Sequence, residues 1–377
     1  MEPPKLFLNF RARHDNQAWR AVPLPCAGTG SRQRGLALIT ALLIMFIATT
    51  AVIYMAFNQS VWMFQGQNLI DRAQADAVAY KYIQFAMDVL SENAIKDEKN
   101  GVKFDHDKAD WNQWSEEVTK PGIDKDLDAL GGTLLSARIT DAQAKFNLNN
   151  IMDWQKIPPI ESAADKYTME QILALNKNLV NAMLDWIDSD SDTRPNSGAE
   201  DIEYMNVAPP GLPYPAANQP FTSVDELRLV KGFDAAIVSE LENSNLLAVL
   251  PTKMNGGAVL TPVNVNTASD EVLLALFTGL SPTNLATFTG GRPYKTINDV
   301  GTKPPVPLTS PGTPPTATKN YGVSTFFFEV DITVKIGKVP RRTLALIYRP
   351  ARPARPQIVQ ISYRPPERIP SPTPTPN

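Results

Sequence analysis

An uncharged run from Leu36 to Phe57 opens the hydrophobic pattern of the chain. At about 1.5 Å per residue, these 22 residues form a helix of roughly 33 Å, enough to cross a bilayer. The helical period continues past it. Leu69, Ala73, Ala77, Tyr80, Ile83, Met87 and Leu90 recur at three- and four-residue steps, with Lys81, Asp88 and Glu92 off that stripe. The pattern predicts one helix over 36–96, apolar all round in its first half and amphipathic in its second. Residues 97–131 are polar and rich in turn formers, with Trp111 and Trp114 as packing anchors. The period then changes to two. Leu135, Ala137 and Ile139 alternate with Ser136, Arg138 and Thr140 as a first strand. Phe326, Phe328, Val330, Ile332 and Val334 alternate in a second, and Leu344, Leu346 and Tyr348 in a third after a turn at Gly337.

The stretch between the first two strands reads as helical. Ile172, Leu175, Leu179, Met183 and Trp186 are spaced for one helix over 168–187. Ser223-Val-Asp-Glu226 has the form of a capping box, in which the serine oxygen and the glutamate satisfy each other's free backbone N–H groups. Thr267-Ala-Ser-Asp270 starts a helix bearing Val272, Leu273 and Leu276. The pattern therefore predicts an α+β chain. It has a long N-terminal helix on a small antiparallel sheet (97–140 and 301–349) and a large all-α insertion at 141–300. Residues 301–320 hold six prolines and return the chain to the sheet. Residues 350–377 hold nine prolines and little apolar pattern, which predicts a disordered tail.

Charge orients the apolar helix. Residues 1–35 carry six Lys or Arg against two Asp or Glu, so the N-terminus is expected in the cytoplasm and everything after Phe57 across the inner membrane. The net charge of −3 makes no electrostatic case for nucleic acid or anionic lipid. The single cysteine, Cys26, precedes the apolar run, so the remainder has no disulfide to staple its loops. His14 and His106 lie in no cluster, and no Gly-x-Ser-x-Gly occurs, so neither a histidine metal site nor a hydrolase centre is expected.

The junction Arg32-Gln-Arg-Gly-Leu36, with its small residue before the apolar run, resembles the type IV prepilin signal. That resemblance implies cleavage between Gly35 and Leu36 by a prepilin peptidase, removal of 1–35 as a leader, and methylation of the new terminus. The competing reading is a signal-anchored enzyme on a helical stalk. Four phrases of the insertion, in order, extend the resemblance. They are Asp141-Ala-Gln-Ala-Lys-Phe-Asn-Leu-Asn149, Leu184-Asp-Trp-Ile-Asp-Ser-Asp190 leading into Gly198-Ala-Glu-Asp201, Ala217-Asn-Gln-Pro-Phe-Thr-Ser-Val-Asp-Glu-Leu227, and Val263-Asn-Val-Asn-Thr-Ala268. Behind that signal they resemble the general secretion pathway protein K family, the large minor pseudopilins of type II secretion. The family implies a non-enzymatic subunit at the tip of a periplasmic pseudopilus, with other minor pseudopilins and the major pseudopilin as partners. Thr40 stands where most pilins carry a glutamate that pairs with a neighbour's N-terminus. A subunit without that acid needs no partner above it, which suits a tip, although a threonine is also simply tolerated in a membrane helix.

Asp188, Asp190 and Asp192 alternate on a loop, and Glu200 and Asp201 follow a glycine. Calcium takes six to eight oxygens, and alternating carboxylates offer them from one side. The spacing is not that of an EF-hand, and the competing reading is a solvated acidic turn. The family resemblance implies calcium in this region. The repeated Asn147-Leu-Asn149 and Asn264-Val-Asn266 read as backbone caps. The second, followed by two short helices, resembles the helix-hairpin-helix of DNA-uptake proteins, and nucleic-acid binding is the alternative function. The Thr278-Gly-Leu-Ser-Pro282 turn, which lacks an N–H at the proline, and the acidic balance of 141–300 weigh against it.

Overall fold

The structure is a computed structural model that describes residues 33–120, 124–206, 211–277, 279–302, 320–351 and 354–364. The leader, Cys26 and most of the proline-rich return lie outside the described residues. Helix α1 runs Gln33–Asn100. Two compact units divide the chain, residues 1–67 and residues 68–377. In the first, the side chains of α1 from Leu36 on are exposed apart from the half-buried Asn58 and Val61, and the helix is long and apolar enough there to cross a membrane.

The second unit pairs the rest of α1 with a four-stranded antiparallel sheet. The sheet is built from β1 (Thr133–Asp141), β2 (Phe327–Ile336), β3 (Val339–Tyr348) and β4 (Gln357–Arg364), in that order. Ala75, Ala79, Tyr82, Ile83, Ala86 and Leu90 form the buried stripe of α1. They pack on Ala137, Ile139, Phe328, Val330, Ile332, Val334, Ala345 and Ile347. The stripe is rotated from the expected one. Leu69, Ala73, Ala77 and Tyr80 face outward, while Ile83 and Leu90 face the sheet. The sequence has two apolar faces here, and the alanine-rich one wins because small side chains let the sheet approach closely. Trp111 and Trp114 of α2 (Asp110–Val118) are buried in this core as expected, and α3 (Lys125–Ala129) adds Leu127. Leu135 is exposed because a bulge between Leu134 and Ser136 shifts the β1 register by one residue and turns it outward. Gly337 adopts φ +72° in the two-residue turn between β2 and β3, where a side chain would also strike Asp71.

Strand β4 corrects the expectation of a disordered tail. Ile358 and Ile361 pack on the helix–sheet core, and Val359 joins Leu346, Tyr348 and Phe327 on the other face. The flanking prolines masked an eight-residue strand whose pattern pairs with β3. Leu346 and Tyr348 lie on that second face too, so the core face of β3 is Thr343, Ala345 and Ile347.

Residues 142–326, between β1 and β2, hold their own buried cluster. Here the structure repeats one plan twice. Phe146–Asn147 pairs in parallel with Leu247–Ala248, and Val263–Asn264 with Tyr321–Gly322. The first copy holds α4 (Ala163–Leu173), α5 (Leu179–Ile187), α6 (Asp201–Met205) and α7 (Ala235–Ser244). The second holds α8 (Asp270–Leu276), α9 (Pro282–Gly290) and α10 (Ile297–Thr302). The single helix expected over 168–187 is two, α4 and α5, broken where Ala174 adopts φ 49°.

The Asn-x-Asn phrases cap as expected and also do more. Asn147 accepts from the Asn149 N–H (3.2 Å) and Asn264 from the Asn266 N–H (3.1 Å). Asn149 then clamps Phe221 through its N–H (2.8 Å) and carbonyl (3.0 Å). Asn266 clamps Tyr294 in the same way, at 2.7 and 2.9 Å. After each clamp an acid accepts from the next N–H, Glu226 from Thr222 and Asp299 from Lys295. Glu226 is thereby used elsewhere, taking Thr222 and the Trp186 indole. Ser223 makes no side-chain cap, and Val224–Leu229 winds as a 3₁₀ segment in place of the expected capping box.

Buried polar groups fasten the second copy to the sheet. One oxygen of Asp141, at the end of β1, accepts from Asn264 (2.8 Å), Thr267 (2.6 Å) and Thr325 (2.5 Å). Burial pushes this carboxyl up to about 6, against the pull of those bonds. Arg349 pairs with Asp105 at 2.7 Å, and Asp105 takes the Thr325 N–H at 2.8 Å.

Candidate functional site

The acidic loop lies between α5 and Pro220 in the first copy. The second copy passes there directly from α9 through Gly291 and Arg292 to Pro293, so the loop is an addition of the first copy. Apolar packing of α5, with Met183, Leu184, Trp186 and Ile187 buried, sets Asp188 at the helix end. Glu200 starts α6 and forms a reciprocal cap with Glu203. These anchors bring single carboxylate oxygens of Asp188, Asp190 and Glu200 within 4.8 Å of one another. Calcium–oxygen distances of about 2.3–2.6 Å place ligand oxygens at most about 5 Å apart, so three carboxylates converge at the right scale.

The other two expected ligands are elsewhere. Asp201 accepts the Ala216 N–H at 2.8 Å as a loop brace. Asp192 is exposed, its N–H donating to Asp190 at 2.9 Å. Spacing alone could not separate them, because loop conformation decides which acids converge.

Two of the three, Asp188 and Glu200, are costly to bury as bare carboxylates. Asp188 is 6% exposed and Glu200 3%. One oxygen of each, Asp188 Oδ1 and Glu200 Oε1, is buried among protein atoms with no hydrogen-bond partner. Burial first, then Asp185, Asp188, Asp190 and Asp201, push Glu200 up to about 8. Burial also raises Asp188, against the hydrogen bond from Arg194. Orphan oxygens in a clustered negative field are what a bound divalent cation would satisfy.

The sequence reading missed Asp185 and Arg194. Asp185 is fully buried on α5 and accepts from the Arg194 guanidinium (2.6 Å) and N–H (3.0 Å). The same guanidinium contacts Asp188 Oδ2, and its Nε lies 3.6 Å from Glu161. Gly198 is required beside this pair, since any side chain would collide with the Arg194 carbonyl and the Asp185 carboxylate. Behind the loop, Trp186, Tyr204 and Tyr214 form an aromatic wall with centroids 5.1 Å (Trp186–Tyr204) and 5.5 Å (Tyr204–Tyr214) apart.

At the N-terminal end, Gly35 lies within α1, with Leu36 exposed after it. The Thr40 hydroxyl donates to the Ala37 carbonyl at 3.0 Å, so it is satisfied within its own helix.

A helix whose first half is long and apolar enough to cross a membrane, and whose second half is laid on an antiparallel sheet, defines a pilin-like subunit. The large duplicated insertion narrows the class further. Sequence profiles of type II secretion system protein K match residues 144–252 and 263–322, one on each copy of the repeat. Type II secretion system protein K of Pseudomonas aeruginosa is 30% identical over 251 residues, covering 65% of this chain and 68% of the relative. That of Klebsiella pneumoniae is 31% identical over 264 residues, covering 67% and 72%. The chain belongs to the type II secretion system protein K family of minor pseudopilins. The fold is similar to one in the crystal structure of the GspK–GspI–GspJ complex of enterotoxigenic Escherichia coli. The TM-score is 0.61 at 19% identity, with 80% of this chain and 99% of that chain covered.

Proposed function

We propose that the chain is the tip subunit of a type II secretion pseudopilus, a non-enzymatic part that aids export of folded proteins across the outer membrane. A prepilin peptidase cuts between Gly35 and Leu36, the apolar half of α1 sits in the inner membrane, and the body lies in the periplasm. Its partners are other minor pseudopilins, as in the solved complex of similar fold, and the major pseudopilin below. The observation that carries this reading is Thr40. Its hydroxyl closes on its own helix, so the residue leaves no buried charge for a subunit above to neutralise. The bulk of residues 142–326 beside the sheet supports it, since a regular fibre leaves little room for such an insertion in each subunit.

In this reading the acidic loop holds calcium through Asp188, Asp190 and Glu200. The ion would supply positive charge that fixes the loop where the chain has no disulfide. The orphan oxygens of Asp188 and Glu200 support that choice. The test of the function is co-expression with the other minor pseudopilins of the same system, followed by affinity capture from detergent-solubilised membranes. The expected result is a stoichiometric complex, and loss of secretion in a deletion strain that the wild-type chain restores. Absence of both the complex and the secretion defect would reject the proposal.

A further inference from the structure

The acidic loop contains a cation of its own, and its geometry differs from that of a surface ion pair. Arg194 is gripped from several sides. Its guanidinium and its backbone N–H both bond Asp185, which is fully buried on α5. Its Nε faces Glu161, itself paired with Lys166 at 3.1 Å. The Gly198 segment closes over its backbone. The remaining contact is to Asp188, through Oδ2. The opposite oxygen, Oδ1, is the one left buried and unpartnered, and Asp188 is one of the three carboxylates that converge.

We infer that Arg194 is the positioning residue of the cation site: it holds Asp188 by one oxygen and so presents the other to a divalent ion. The inference rests on the calcium reading of the loop. Two physical points support positioning over competition. The guanidinium is on the oxygen not orphaned, so arginine and metal can hold Asp188 at the same time. Nη1 alone bridges Asp185 and Asp188 while Nε, on another edge of the same rigid plane, faces Glu161; a lysine ammonium is a single point and cannot stand at both places. Partners that orient metal ligands in this way typically change affinity by about 10–100-fold when removed.

The test uses the full chain in detergent micelles, with calcium titrated calorimetrically and terbium(III) as a luminescent probe sensitised by nearby aromatic rings such as Trp186. Arg194→Met and Arg194→Lys are compared with wild type, and far-UV circular dichroism checks folding. The expected result is that both variants weaken calcium at least about tenfold, the lysine giving no rescue although it keeps the charge. Terbium decay in H₂O against D₂O should then count one more bound water, as Asp188 Oδ1 leaves the ion; a role in general stability alone would not add that water. Equal or tighter calcium binding by Arg194→Met would overturn the inference, marking the arginine as a competing counter-ion. If Arg194→Met does not fold, wild-type affinity in Arg194→Lys overturns it equally. If wild type itself binds neither ion, the calcium reading fails first, and the inference falls with it.

Discussion

Replacing Asp165 by asparagine should make the protein more stable at pH 8 and leave it nearly unchanged at pH 5. Asp165 lies in the first turn of α4 and is buried. One oxygen accepts from the Ser162 hydroxyl at 2.6 Å, and the other has no partner. Burial pushes its carboxyl up to about 7, Asp153 adding to the rise and Ser162 opposing it. An unfolded aspartate titrates near 3.9. Between those two pH values the folded chain keeps a proton that the unfolded chain has released. The raised value therefore adds stability at low pH, and that stability is lost as pH climbs from about 4 through about 7. At about 1.4 kcal/mol per pH unit, the full effect is on the order of 4 kcal/mol, an upper bound because water entry softens the burial. Asparagine keeps the shape and cannot ionise, so it escapes the loss. Its extra N–H costs about 1 kcal/mol at every pH. The assay is urea unfolding followed by tryptophan fluorescence at pH 5, 6.5 and 8, with chelator present so that the acidic loop contributes equally to both proteins. A stability difference that swings by at least about 2 kcal/mol toward the variant between pH 5 and 8 agrees with the reasoning. A difference that is constant with pH refutes it, since it would mean Asp165 ionises freely.

Three further outcomes follow from other parts of the molecule. Gly35→Val should leave the full-length precursor in the membrane and stop secretion, which immunoblotting and mass spectrometry of the N-terminus would read; a processed N-terminus in the variant contradicts the assigned cut. Gly198→Ala should destabilise by about 1–3 kcal/mol and weaken calcium, because the added methyl collides with the Asp185–Arg194 pair; calorimetry and a melting curve check both. Ending the chain after Arg349 removes β4, uncovers Ile358 and Ile361 partners in the core, and should cost about 2 kcal/mol. It also opens the β3 edge, so analytical ultracentrifugation should find self-association.

The sequence disclosed the elements with strong periods and lost those defined by contact at a distance. The long helix and strands β1 to β3 follow from runs of strong period, although on α1 and β3 the period does not say which face is buried in the core. On α1 two apolar faces compete, and only the sheet's need for close approach selects the alanines. Strand β4 was hidden by the prolines around it, although Ile358 and Ile361 supply its core face. At the site, the cluster of acids was visible, but which of them converge depends on the fold of the loop. Asp201 was drawn off to brace Ala216. Asp185 carries a signal of its own: a charged residue inside the apolar run of α5 must have a buried partner. The duplication was half visible in the two Asn-x-Asn phrases. Its confirmation in sequence is the match of Pro220-Phe-Thr-Ser-Val-Asp-Glu-Leu227 to Pro293-Tyr-Lys-Thr-Ile-Asn-Asp-Val300, where the aromatic residue is clamped and the acid turns back on the next N–H.

A tip subunit needs one position per fibre. Overproduced pseudopili labelled with immunogold against residues 142–326 test this most directly. The account predicts gold at a single end of each fibre, unchanged by Thr40→Glu because no subunit lies above to receive the acid. Gold spaced along the shaft would contradict it.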